Sequence, residues 1–66
     1  MNINQFKAML LQNGETMGDL AKRLGIGRNT LSNKINGHSD FSLKEVNIIQ
    51  DAYNLSLEEM KSIFFS

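Results

Sequence analysis

Arg28, Asn29, Ser32 and Asn33 stand in the run GRNTLSNKING at positions i, i+1, i+4 and i+5, a spacing that gathers them on one polar flank of a helix. These side chains can read base-pair edges. The planar guanidinium of Arg28 can donate to guanine O6 and N7, and the carboxamide of Asn29 or Asn33 can pair with adenine N6 and N7. Ser32 is short enough to let a helix and a base edge approach each other. Only Leu31 and Ile35, four apart, offer this segment an apolar stripe. A solvated helix face rich in asparagine has the same composition, so the alternative reading of these residues is surface and nothing more.

Other chemistries find little support. There is no cysteine, and the sole histidine, His38, has only Asp40 of the same loop nearby, which is not a metal-ligand spacing. No phosphate-cradling glycine loop, no paired acids in a cleft and no nucleophile with a base can be found. A bundle of 66 residues also has little room for a concave pocket. The expectation is a protein that is not an enzyme and takes no metal, cofactor or small-molecule ligand. No apolar run approaches the roughly 20 residues of a membrane span, and the N-terminus lacks a basic-then-apolar signal pattern, so a cytoplasmic location is expected.

The formal charge is zero, yet its distribution is uneven. Lys7, Lys22, Arg23, Arg28 and Lys34 oppose Glu15 and Asp19 in residues 1–39, whereas Lys44 and Lys61 face Asp40, Glu45, Asp51, Glu58 and Glu59 in the remainder. A basic front and an acidic back would steer one face towards a polyanion, with modest affinity and a shallow salt slope because the cations are few.

The chain reads as a single all-α domain, 1–66, of five short helices. Asn2 and Gln5 form a capping pair for the first, where Ile3, Phe6 and Leu10 point inward and Gly14 ends the run. Thr16 with Asp19 starts the second, whose apolar stripe is Met17, Leu20, Ala21 and Leu24, leaving Asp19, Lys22 and Arg23 wet. Gly25-Ile26-Gly27 breaks and restarts the chain, with Ile26 plugging the angle and Gly27 at the N-cap of the third helix, which Asn36-Gly37 stops. Ser42/Glu45 and Ser56/Glu59 are capping boxes for the fourth and fifth, with Phe41/Val46 and Leu55/Met60 as hydrophobic staples. The fourth places Leu43, Val46, Ile49, Ala52 and Tyr53 on one face, with Ile48 on its flank, and is expected to be the central packing helix. The fifth runs to about Phe65. Adjacent helical residues diverge by about 100°, so Phe64 and Phe65 cannot both be buried in so small a monomer, and an exposed aromatic there points to a homodimer interface.

The run LAKRLGIGRNTLSNKING resembles the helix-turn-helix of the lambda-repressor and Cro family, also called the XRE family, with Leu20, Ala21, Leu24, Gly25, Leu31, Ser32, Asn36 and Gly37 on its pattern. The following residues are similar to the rest of the domain in short phage and prophage regulators. Lys34 stands where the family has an apolar residue, and Leu10 and Ile35 where it often has a charged pair. The resemblance implies a five-helix lambda-repressor-like fold and a sequence-specific regulator of transcription, Cro-like or a small repressor. Its third helix would enter the major groove of duplex DNA at a palindromic operator bound by a homodimer. It implies base contacts from Arg28, Asn29, Ser32 and Asn33, and phosphate contacts from Thr16, Met17, Gly27, Lys34, Asn36 and Ser39. The alternative is a protein-interaction module, an antirepressor or antitoxin-like bundle using Met17, Phe64 and Phe65 on a partner.

Overall fold

A computed structural model describes residues 1–65. Five helices follow one another: α1 (Ile3–Gln12), α2 (Met17–Leu24), α3 (Arg28–Ile35), α4 (Leu43–Tyr53) and α5 (Leu57–Phe64), with no strand among the described residues. This is the all-α, five-helix arrangement expected of a lambda-repressor-like domain.

Local chemistry sets the helix ends. Three capping boxes form: Thr16 with Asp19, Ser42 with Glu45, and Ser56 with Glu59, each hydroxyl accepting an N–H at 3.1 Å and each carboxylate accepting the cap residue's N–H at 2.8–3.0 Å. Gly25 closes α2 at φ 71°, a left-handed conformation in which a Cβ would crowd the following carbonyl. Asn54 does the same for α4 at φ 51°, asparagine being the common substitute for glycine there.

At α1 only half of the expected pair is made. Asn2 Oδ1 accepts the Gln5 N–H at 3.0 Å, but Gln5 does not reach back. Its Oε1 accepts the Ser62 hydroxyl at 2.8 Å, and the Asn2 N–H donates to the Ile63 carbonyl at 2.8 Å. Helix α5 packs beside α1 and takes up both groups, a tertiary substitute for a local cap.

The core is built from Phe6, Met9 and Leu10 of α1, Leu20 and Ala21 of α2, Leu31 and Ile35 of α3, Ile49 and Tyr53 of α4, Leu55, and Met60 and Ile63 of α5. Phe6, Leu20, Leu31 and Ile49 are wholly buried, so one layer draws on four helices. Met17, Leu24, Ile26, Ile3 and Phe41 pack around it half-buried. Among the principal helix pairs, α2 packs on both α3 and α4, and α1 on α5, so α2 shares the central place expected of α4.

Leu43 corrects the expected α4 face, for it is 78% exposed. It is the first helical residue, and six residues at about 100° each set it roughly 120° from Ile49. Val46, Ile49 and Tyr53 hold the inner side without it.

Candidate nucleic-acid interface

Helix α3 is anchored from beneath and polar above. Leu31 and Ile35 are buried, and Arg28, Asn29 and Asn33 are exposed on the other side. Gly27 caps the helix through backbone conformation alone, with no side-chain bond. The Ile26 N–H donates to the Ala21 carbonyl at 3.0 Å, closing the turn that sets α3 against α2. Among the described residues, Asn29 and Asn33 have no side-chain hydrogen bond within the protein, so their donors and acceptors face solvent. Ser32 is half-buried, its hydroxyl accepting from Asn36 Nδ2 at 3.3 Å, and this ties it to the C-cap residue of α3.

Arg28 leans away from the other three. Its Cδ and Nε lie 3.7 and 3.9 Å from where a Cβ on Gly18 would stand, so the side chain crosses the first turn of α2. The shallow depression beneath it is lined by Thr16, Gly18, Asp19, Ala21, Lys22 and Ile26. The Thr16 hydroxyl and amide are engaged with Asp19, leaving Met17 and Gly18 as first-turn N–H groups whose position gives them no intrahelical acceptor. The Asp19 carboxyl is held below its ordinary range, chiefly by the Thr16 backbone N–H. Met17 is half-buried against the core. Gly27, Asn36 and Ser39 are exposed.

Lys34, expected among the phosphate contacts, is paired within the protein. Its side chain is only 15% exposed, and its Nζ donates to Glu45 Oε1 at 3.0 Å and to the Asp40 carbonyl at 2.9 Å, 5.9 Å from the centre of the Phe41 ring. The ammonium is directed into the protein because a carboxylate and a carbonyl wait there, in a position where solvent competes little. The Glu45 carboxyl is held low by the Ser42 backbone N–H first and by Lys34 second among the stabilising groups.

Phe64 is half-buried and packs against two other rings of the monomer. It meets Phe6 edge-on at 6.1 Å and Phe41 edge-on at 5.7 Å, while Phe6 and Phe41 stack at 6.2 Å. Phe65 is 80% exposed, as expected for one member of an adjacent pair.

Two ion pairs escaped the sequence reading. Glu15 Oε1 accepts from Arg23 Nε at 2.6 Å and from the Tyr53 hydroxyl at 3.0 Å, with the guanidinium 5.8 Å from the Tyr53 ring centre. Glu15 thus ties the α1–α2 turn to α4 through Tyr53, and Arg23, still 48% exposed, joins α2 to the pair. With Lys34, Arg23 makes two of the five basic residues of the first 39 that are already paired, so Lys22 and Arg28 carry the positive charge of the α2–α3 surface. His38 is exposed, and no cluster of three or more potential metal ligands exists among the described residues. Nor is any described helix long and apolar enough to cross a membrane.

Comparison with curated proteins and with solved structures gave no match. A family model described as helix-turn-helix matches residues 6–60. That span contains both α2 and α3 with the turn between them and most of the supporting core, and the chain belongs to the lambda-repressor-like (XRE) helix-turn-helix family of DNA-binding proteins.

Proposed function

We propose that this protein is a transcriptional regulator that recognises a specific duplex sequence by laying α3 in the major groove. The observation that carries the reading is the two-sidedness of α3: Leu31 and Ile35 hold it to the body, while Asn29 and Asn33, one turn apart, keep their carboxamides open to solvent. Asn29 and Asn33 read bases, and Ser32 lets the helix sit close. Arg28 reaches either a guanine or the adjoining strand from its place over Gly18. Thr16, the Met17 backbone, Gly27, Asn36 and Ser39 meet phosphates on either side.

The protein acts in the cytoplasm as a homodimer on a palindromic operator, in the manner of a short Cro-like repressor of a phage or prophage. Phe65 is the apolar contact left to the dimer, Phe64 being engaged inside the monomer. Two copies double the few cations that each subunit can bring to the phosphates. Selection of duplexes from a random pool, followed by footprinting, tests the reading. It should return an inverted repeat protected in two half-sites about 34 Å apart, one helical turn. Unselective binding erased by modest salt would refute it.

A further inference from the structure

The loop from Asn36 to Ser42 joins α3 to α4 and carries Asn36 and Ser39, both assigned above to the DNA backbone. Its own hydrogen bonds are few and local, among them Gly37 N–H to the Lys34 carbonyl at 3.3 Å and His38 N–H to the Asn33 carbonyl at 2.9 Å. What spans the loop from one side to the other is Lys34. From the last turn of α3 its ammonium bridges the Asp40 carbonyl and Glu45 Oε1, and the same Glu45 oxygen accepts the Ser42 N–H at 2.8 Å. One carboxylate oxygen therefore joins the end of the recognition helix to the cap of α4.

We propose that Lys34 and Glu45 form a latch that fixes the α3–α4 loop in its DNA-binding position, so that Lys34 is a positioning residue and not a phosphate contact. This rests on the DNA-reading function proposed above. Three features of the geometry carry it. The pair is largely withdrawn from solvent, with side chains 15% and 12% exposed, so water and salt weaken it less than a surface pair. The ammonium has two oxygen acceptors and lies beside the Phe41 ring, which leaves it little freedom to swing towards a phosphate. Its partners are also at the far end of the loop, so breaking the bridge loosens both ends at once. A loop that is properly placed only part of the time weakens binding in proportion to that fraction.

The test uses Lys34→Met, which keeps the length of the stem, and Glu45→Gln, which keeps an oxygen for the Ser42 cap, together with the double variant. Affinity for a duplex selected by the wild-type protein is measured across a range of salt, and amide exchange is followed in residues 37–42. The latch predicts that each single change weakens binding roughly fivefold, the upper end of what an exposed pair contributes. The double variant should be no worse than either single one, the salt slope of Lys34→Met should equal that of wild type, and loop exchange should speed up in all three. A fall of about 0.9 in the slope per subunit for Lys34→Met would make the lysine a phosphate contact and overturn the proposal. So would unchanged loop exchange, or additive losses in the double variant. Should the wild-type protein select no duplex at all, the DNA-reading function fails, and loop exchange still decides whether the latch exists.

Discussion

Replacing Tyr53 by phenylalanine keeps a ring that is 7% exposed and removes one hydroxyl, the donor to Glu15 Oε1 at 3.0 Å. A hydrogen bond to a charged acceptor contributes about 1.5–3 kcal/mol when nothing replaces it. Glu15 keeps Arg23 as a partner and its side chain is 17% exposed, so water can take the vacated place and the cost falls to about 1 kcal/mol. Unfolding entropy near 2.1 cal/mol/K per residue gives this chain of 66 residues about 0.14 kcal/mol/K, so Tyr53→Phe should lower Tm by about 7 °C. Circular dichroism of wild type, Tyr53→Phe, Glu15→Ala and the double variant measures it, and the loss from Tyr53→Phe should largely vanish when Glu15 is absent. The same bond has a spectroscopic signature. Burial first, and the Glu15 hydrogen bond second, push the Tyr53 hydroxyl up to about 12. This is the only tyrosine and there is no tryptophan, so phenolate absorbance reports it alone. A folded-state pKa above the unfolded one means that the stabilisation is present below pH of about 10 and is lost as pH rises towards 12. A Tm within about 2 °C of wild type, or an undiminished loss in the Glu15→Ala background, would refute the reasoning.

Other expectations follow from the same geometry. Glu15, Asp19 and Glu45 all have lowered pKa values, from the Arg23 side chain, the Thr16 N–H and the Ser42 N–H respectively. Their contribution is present above the ordinary carboxylate range, so Tm should hold steady down to about pH 5 and fall below it; indifference to acid would contradict the assignment. Gly27→Ser adds a hydroxyl at an N-cap that has none, where an added Cβ meets only Thr30 Oγ1 at 4.0 Å. It should stabilise by about 0.5 kcal/mol in urea titration while weakening DNA binding, because the bare backbone no longer approaches the sugar-phosphate strand as closely. Phe65→Ser should leave the melting of the monomer unchanged and weaken dimerisation in sedimentation, whereas Phe64→Ser should cost about 3 kcal/mol by opening the three-ring cluster.

The helix boundaries could be read from the chain because they depend on neighbours in sequence: Thr16 and Asp19, Ser42 and Glu45, and Ser56 and Glu59 are each three residues apart, and Gly25 follows a helix directly. So could the exposure of Arg28, Asn29 and Asn33 on α3, since Leu31 and Ile35 define its inner side, but not the half-buried place of Ser32. What escaped needed distance. Glu15 and Tyr53 are 38 residues apart, Gln5 and Ser62 57, and no periodicity connects them. The pairing of Lys34 with Glu45 is hidden for a related reason. A lysine on a polar helix looks solvated, and Glu45 already had a role in its capping box, so nothing local announced that one carboxylate oxygen serves both. Leu43 marks the limit of helical periodicity at a helix's first turn, where an apolar residue can lie beyond the core it points along.

The outer face of α3 is the feature on which the proposed DNA reading depends, and Asn29→Ala combined with Asn33→Ala tests it most directly. Neither side chain supports the core, so circular dichroism and Tm should match wild type. Competition between the selected duplex and a scrambled one should then lose about 1–3 kcal/mol of preference for each contact removed, with binding to the scrambled duplex little altered. A double variant that keeps its full preference for the selected sequence would contradict the assignment of α3 as the reading helix.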